Sequence, residues 1–187
     1  MKILGIIGGM SPESTATYYT EINRLVNQKK GGNISAPIVM VSVEFEEIVQ
    51  CQKQSEWQRA GEILAEAGKK LEMIGAEGIV LATNTMHKVA PQIERALSIP
   101  FLHILDATAD AIKSRGLNKV ALLGTKFTMS DNFYRDGLIV RGITPIVPNE
   151  SAQNEIHRII FDELCVGKFL PQSKAFYLDT IEFLRKQ

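Results

Sequence analysis

Thr83, Asn84 and Thr85 stand together directly after an apolar run at 79–81. The run suits a buried parallel strand, and hydroxyl and amide side chains favour the first positions of a helix. At a strand-to-helix turn the free N–H groups of the helix start converge on one place, where they attract an anion. The segment therefore predicts a turn that binds a carboxylate or a similar group.

A second turn of this kind follows the first apolar run of the chain. The two glycines at 8–9 carry no side chain, so a ligand can approach the backbone closely. Ser11, followed by a proline, marks the start of a helix. Met10 and Ser11 are therefore predicted substrate-binding residues. In the second half of the chain, a glycine followed by Thr125 forms the corresponding turn, and Thr125 is the predicted contact there.

The segment 79–88 resembles a signature of the aspartate/glutamate racemase family, whose members work without pyridoxal phosphate. Further segments share this similarity, at 8–15, 42–48, 121–125 and 160–165. The resemblance covers nearly the whole chain and is nearest to the bacterial broad-substrate members. It implies an α/β fold of two pseudo-symmetric halves, each a parallel sheet flanked by helices, with the ligand in the cleft between them.

The activity that this resemblance implies is the interconversion of L and D amino acids by proton transfer at the α-carbon. One group removes the proton from one face, and a second group returns a proton to the other face. Two cysteines suit these roles, because a thiol titrates near about pH 8.5 and a helix N-terminus lowers its pKa. Donors in the turns would stabilise the substrate carboxylate as it takes up enolate charge.

Ala82 occupies the position of the first cysteine of the family. The family also continues, beyond the point where this chain ends, into a last strand with a second cysteine and a return segment. Alanine has no acid or base function and neighbouring Thr83 has no activating base, so we expect little or no turnover. An engineered replacement and a natural inactive relative both account for Ala82. A non-catalytic protein that binds small amino acids is the alternative function.

By the same resemblance, Gln52 and Lys168 complete the predicted substrate site. Gln52 lies in a polar stretch after the second strand and would meet the distal group of the substrate. Lys168 would pair with a side-chain carboxylate. The three glutamates within 44–47 have strand-like spacing and suggest a charged rim, and His87 is expected to cap or pack. Aspartate, glutamate and homoserine all remain open as substrates.

Six apolar runs alternate with helix-patterned segments, which predicts parallel sheets covered by helices. The runs lie at 3–7, 38–43, 79–81, 101–105, 120–123 and 143–147, and the helices at 12–28, 56–74, 91–97, 107–115, 131–140, 151–164 and 172–186. A strand, a glycine and an aromatic-bearing helix recur from Gly8 to Gly124, which indicates an internal duplication. We expect a first half at 1–98 and a second at 99–187, with the second half lacking its last strand.

The composition is that of an ordinary globular protein, with 45% hydrophobic residues and 21 basic against 21 acidic residues. This balance gives no general attraction for nucleic acid or anionic membranes. No run approaches the roughly 20 apolar residues of a membrane span. Cys51 and Cys165 have no metal or disulfide spacing, which favours a reduced cytoplasmic setting and no bound metal. The resemblance further implies a homodimer, which binds a small amino acid as its partner and needs no cofactor.

A nucleotide-binding protein is the third hypothesis for the function of the chain. Glycines at 5, 8 and 9, with an acidic residue after the second strand, suggest it. The glycines do not have the G-x-G-x-x-G spacing, and the chain has no Gly-Lys-Ser/Thr motif. The pattern therefore favours an amino-acid site over a nucleotide site.

Overall fold

The computed structural model describes residues 1–187 and divides into two compact units, Met1–Ile104 and Leu105–Gln187. The strand Phe101–Leu102, which follows the boundary expected between residues 98 and 99, pairs with a strand of the first unit. No helix combines the length and the apolar character needed to cross a membrane.

The first unit is built on a parallel four-stranded sheet. Its strands are β1 (Leu4–Gly8), β2 (Ile38–Ser42), β3 (Gly78–Leu81) and β4 (Phe101–Leu102), in the order β2-β1-β3-β4. The β-branched residues of the first three strands predict them well, since such side chains pack on a pleated surface. The fourth is shorter than the apolar run at 101–105 because a helix begins at Ile104.

Four α-helices accompany this sheet: α1 (Pro12–Lys30), α2 (Phe45–Lys53), α3 (Trp57–Met73) and α4 (Ala90–Ala96). Ser11 caps α1 as predicted, because its hydroxyl accepts a hydrogen bond from the N–H of Ser14. Gly75 follows α3 with a φ of 99°, which suits glycine at the end of a helix. The helix α2 was not predicted from the sequence, so the strand-like interpretation of residues 44–47 is wrong.

The core of the first unit lies on one face of its sheet. Ile7, Ile79 and Leu81 of the central strands are almost fully buried and belong to one cluster with Leu64 and Leu71 of α3. Burying one such side chain contributes about 1.5–3 kcal/mol. The packing fixes the ends of β1 and β3, and therefore the turns that follow them.

The second unit contains a parallel two-stranded sheet, in which β5 (Lys119–Ala121) pairs with β6 (Thr144–Ile146). Its helices are α5 (Ile104–Lys113), which begins at the division, α6 (Lys126–Ser130), α7 (Asn132–Val140), α8 (Glu150–Asp162) and α9 (Pro171–Arg185). Both units thus combine parallel strands with helices, which confirms the predicted α/β class. The short helix α6 was not predicted.

Candidate functional site

The polar turns of the first unit lie at the carboxyl edge of its sheet. Parallel pairing places Gly8 beside Ser42 and Ile7 beside Leu81, so the chain leaves β1, β2 and β3 at the same edge. The turns at 9–11 and 82–85 therefore emerge side by side. This edge is where open α/β sheets hold their ligands.

The turn at 9–11 is held tightly against β2. Gly9 has a φ of 96°, and a Cβ atom on it would lie 2.3 Å from the carbonyl oxygen of Val43. The N–H of Gly9 donates to the Thr15 hydroxyl at 2.8 Å, and that hydroxyl donates to the Ser11 carbonyl at 2.9 Å. Met10 and Ser11 are both buried. Glycine is therefore required at position 9 by both conformation and space.

Ala82 lies at the end of β3 and is fully buried. Its N–H donates to the Ile7 carbonyl at 2.9 Å, which extends the pairing of β1 with β3 by one residue. The side chain at this position is a single methyl group, so it supplies no proton donor or acceptor. Position 82 directly follows β3, at the carboxyl edge of the sheet.

Thr83, Asn84 and Thr85 follow in a turn that leads into the 3₁₀ helix Thr85–Val89 and then into α4. Thr83 is half-buried, Asn84 is exposed and Thr85 is buried. Asn84 holds the N-cap position, yet its side chain makes no capping hydrogen bond. The helix that follows the turn begins as a 3₁₀ helix, and Asn84 does not cap it through its side chain. The strand, turn and helix order itself is confirmed.

His87 is tied into this turn by both of its ring nitrogens. Nδ1 lies 2.7 Å from the Thr83 carbonyl oxygen, and the N–H of Ile104 donates to Nε2 at 3.2 Å. The ring is buried and packs edge-on against His103, with centroids 4.8 Å apart. Burial, together with the nearby His103, lowers the pKa of His87 to about 4. The sequence placed His87 as a capping or packing residue and gave no sign of its partner at Ile104.

Gln52 lies on the buried face of α2 and contacts the 3₁₀ helix that follows the turn at 82–85. Its Nε2 donates to the sulfur of Met86 at 3.1 Å, and its Oε1 is buried without a hydrogen-bond partner. The side chain is 6% exposed. The polar stretch that contains Gln52 belongs to a helix with a buried face, which Ile48, Val49 and Gln52 share. Their i, i+1, i+4 spacing is the signal that identifies that buried face.

The helix α2 owes its start to Glu44. The Glu44 carboxylate accepts hydrogen bonds from the N–H groups of Glu46 at 3.1 Å and Glu47 at 2.6 Å. A carboxylate at this end of a helix also interacts favourably with the helix dipole. These glutamates therefore position Gln52 through the helix that they begin, and the charged rim expected from the sequence has a structural role.

In the second unit, Thr125 follows β5 and caps α6, because its hydroxyl accepts from the N–H of Thr128 at 3.3 Å. The next N–H, that of Lys126, donates to Nδ1 of His157 at 3.1 Å. Burial, and then the charge of Lys126, lower the pKa of His157. Lys168 is exposed and follows Gly167, which has a left-handed φ of 71°. The substrate contacts of Thr125 and Lys168 stay predictions.

The two cysteines lie away from the strand-end turns. Cys51 is buried in the core of the first unit, where desolvation raises the pKa of its thiol. Cys165 is half-buried in the 3₁₀ helix Leu164–Val166. A raised pKa disfavours the thiolate, which is the reactive form. Neither cysteine directly follows a strand, as Ala82 does.

Comparison with known proteins assigns the chain to a family. Residues 7–187 match the model of the Asp/Glu/Hydantoin racemase family. The broad specificity amino-acid racemase RacX of Bacillus subtilis is 25% identical over 160 residues, which cover 84% of this chain and 69% of RacX.

Solved structures agree with this assignment. A crystal structure of a candidate Asp/Glu racemase from Yersinia pestis is 48% identical, with a TM-score of 0.90 over 100% of this chain and 82% of that one. An aspartate racemase homologue from Pyrococcus horikoshii OT3 is 38% identical, with a TM-score of 0.82 over 100% and 80% of the two chains. The chain belongs to the Asp/Glu/hydantoin racemase family.

Proposed function

We propose that this chain binds a small amino acid of the aspartate or glutamate type at the carboxyl edge of the first sheet. The single observation that carries the proposal is the buried Oε1 of Gln52, near the turn at 82–85, which has no hydrogen-bond partner. A buried acceptor without a hydrogen bond costs roughly 1–3 kcal/mol. An ammonium, hydroxyl or amide group of a bound amino acid would satisfy it.

The turns supply complementary groups for the carboxylate of such a ligand. Met10 and Ser11 come from one turn, and Thr83, Asn84 and Thr85 from the neighbouring one. Hydroxyl and main-chain N–H donors fixed in place before the ligand arrives stabilise a carboxylate and, even more, the enolate that forms when the α-proton leaves. Thr125 and Lys168 are further substrate contacts in this proposal.

The reaction served by these groups is racemisation by two proton transfers at the α-carbon, as the names of the relatives suggest. A base takes the α-proton to give the enolate, and an acid then protonates the opposite face. A thiolate and a thiol suit this exchange because their pKa values lie near neutral pH. Ala82 has no thiol, so we propose that this chain binds the amino acid without racemising it.

We further propose that the chain represents a class of enzymes that work without pyridoxal phosphate. We also propose that it forms a homodimer in the cytoplasm. Two features support parts of it. Both cysteines are free, as is usual in a reducing compartment. Lys88, the lysine nearest in sequence to the site turn, has its ammonium 4.2 Å from the centre of the Trp57 ring. A cation held in this way is retained by the ring and is not presented as a nucleophile.

A deuterium-exchange experiment tests the proposed chemistry. The unaltered chain and its Ala82→Cys and Ala82→Ser variants are incubated in D₂O with L-aspartate, and the α-proton is followed by NMR. We expect exchange only with Ala82→Cys, because serine places a hydroxyl where cysteine has a thiol but does not form a comparable anion. One thiol can remove and return the proton on the same face, so exchange is expected without inversion.

The outcomes separate the two candidate functions. Exchange by Ala82→Cys supports a racemase site whose thiol is missing. Binding of L-aspartate by all three proteins without any exchange supports the alternative, an amino-acid binding protein. Exchange by the unaltered chain, or the absence of binding of aspartate, glutamate and homoserine, would show that the proposal is wrong.

A further inference from the structure

His87 stands next to the proposed site without belonging to it. Its ring contacts the turn that starts at Thr83, and 3% of the residue is exposed to solvent. The ring contacts Phe101 of β4 at 5.7 Å and His103 at 4.8 Å between centroids. A buried titratable ring with both nitrogens bonded to the main chain is held in one orientation. Such a ring can in turn fix the backbone to which it is bonded.

The hydrogen bonds determine which ring nitrogen carries the proton. A main-chain N–H, that of Ile104, points at Nε2, so this nitrogen must be an acceptor without a proton. The partner of Nδ1 is the Thr83 carbonyl oxygen, which can only accept, so Nδ1 must carry the proton. The neutral Nδ1–H tautomer is therefore the form that satisfies both bonds. If Nε2 were also protonated, its N–H and the N–H of Ile104 would be two donors facing each other.

The bond to Thr83 fixes more than a carbonyl oxygen. In a trans peptide the C=O and the following N–H lie in one plane and point in opposite directions. With the Thr83 carbonyl held toward His87, the N–H of Asn84 must point away from His87. The peptide between Thr83 and Asn84 is part of the turn at the sheet edge, so the orientation of this N–H is set by the histidine.

We propose that His87 is a positioning residue, which directs the N–H of Asn84 toward the carboxylate of the bound amino acid. The inference rests on the proposed amino-acid site. The second bond, from Ile104, anchors the ring to the chain after β4, so the turn is braced against a neighbouring strand of the same sheet. His87 touches no reacting atom in this role and acts only through the main chain.

Two substitutions at His87 separate positioning from simple packing. In His87→Asn, the side-chain amide can place an N–H near the position of Nδ1 and keep the bond to Thr83. In His87→Leu, the bulk remains but the donor is lost. We expect His87→Leu to weaken L-aspartate binding about tenfold, the value of one hydrogen bond of about 1.4 kcal/mol. His87→Asn should recover most of this loss.

A matched control accounts for lost stability. Ile93→Ala removes a fully buried side chain from α4, eight residues after the turn at 82–85, and it should lower the melting temperature while leaving the affinity unchanged. Binding is measured by titration calorimetry on each folded protein. Separately, ¹⁵N NMR of the unliganded chain reads the tautomer of His87, which should be Nδ1–H.

The results distinguish the failure of this inference from that of the proposed function. If the unaltered chain binds none of the amino acids, the proposed function fails and this inference fails with it. If the chain binds L-aspartate and His87→Leu binds it equally well, only the role of His87 is wrong. An Nε2–H tautomer would also overturn that role, since it cannot donate to Thr83.

Discussion

The amide nitrogen of Gln52 lies 3.1 Å from the sulfur of Met86, and this contact leaves the Gln52 oxygen as the buried atom without a partner. Sulfur is a weak acceptor, so the contact orients the amide at little gain in stability. If the proposed ligand contact exists, ligand binding favours glutamine at position 52. The stability of the free fold favours an apolar residue there.

Replacing Gln52 with leucine tests this opposition. We expect Gln52→Leu to raise the melting temperature, because a buried acceptor without a partner costs roughly 1–3 kcal/mol. We also expect it to weaken L-aspartate binding about tenfold. Gln50→Leu is the control, since Gln50 is exposed on the same helix. Unchanged affinity in Gln52→Leu would place the ligand elsewhere.

The turn before α1 depends on glycine at position 9. Gly9→Ala places a Cβ atom 2.3 Å from the Val43 carbonyl oxygen and forces a side chain into a φ of 96°. We expect the free energy of unfolding to fall by about 2–3 kcal/mol. Urea denaturation followed by the fluorescence of Trp57, the one tryptophan of the chain, measures the change.

Gly32→Ala provides the comparison for this substitution. Gly32 has a φ of 60°, and a Cβ atom on it would meet nothing within 4 Å. Its replacement carries the conformational cost without the clash, so a loss of about 1 kcal/mol is expected. Equal losses for the two variants would show that the contact with Val43 does not matter.

The stability of the chain should fall with pH through His87. Its pKa is about 4 in the fold, against about 6.5 for an unperturbed histidine. Between these values the unfolded chain binds more protons than the folded one, so stability decreases as the pH drops from about 6.5 to about 4. The loss of stability through His87 reaches about 3 kcal/mol near pH 4, and above about pH 7 there is no loss.

Comparison with His87→Asn isolates this contribution from that of the carboxylates. The unfolding free energy of both proteins is measured from pH 7 down to pH 4, and the parent should lose about 3 kcal/mol more than the variant. Parallel pH profiles would show that His87 titrates in the fold as it does in the unfolded chain, and a parent that gains stability as the pH falls would show that its folded ring is doubly protonated. Either result would contradict the bonding described for its Nε2.

The parallel strands were predictable because their apolar, β-branched runs are short and end in glycine or hydroxyl residues. The run at 101–105 was misleading, since Ile104 and Leu105 begin α5 and short apolar runs suit a strand and a buried helix start equally. The helix α2 was missed because its start is marked by Glu44, and a glutamate cap is less familiar than serine or asparagine.

The positions of the turns were predictable for a different reason, since glycine and hydroxyl residues after a buried run favour a turn and a helix start. The contacts of Gln52 and His87 depend on partners that lie far away in the sequence. Ile104 is the partner of His87 only because β3 and β4 are neighbours in the sheet. No local pattern around residue 87 contains that information.

The capping of α2 by Glu44 determines where Gln52 points. Each residue of an α-helix turns about 100° around the axis, and Gln52 stands eight positions, a little over two turns, after the cap. Insertion of one residue between them would rotate the amide to a different side of the helix, away from Met86. A change of a single residue between Glu44 and Gln52 would therefore separate the amide from Met86 and remove the ligand contact that we propose for it.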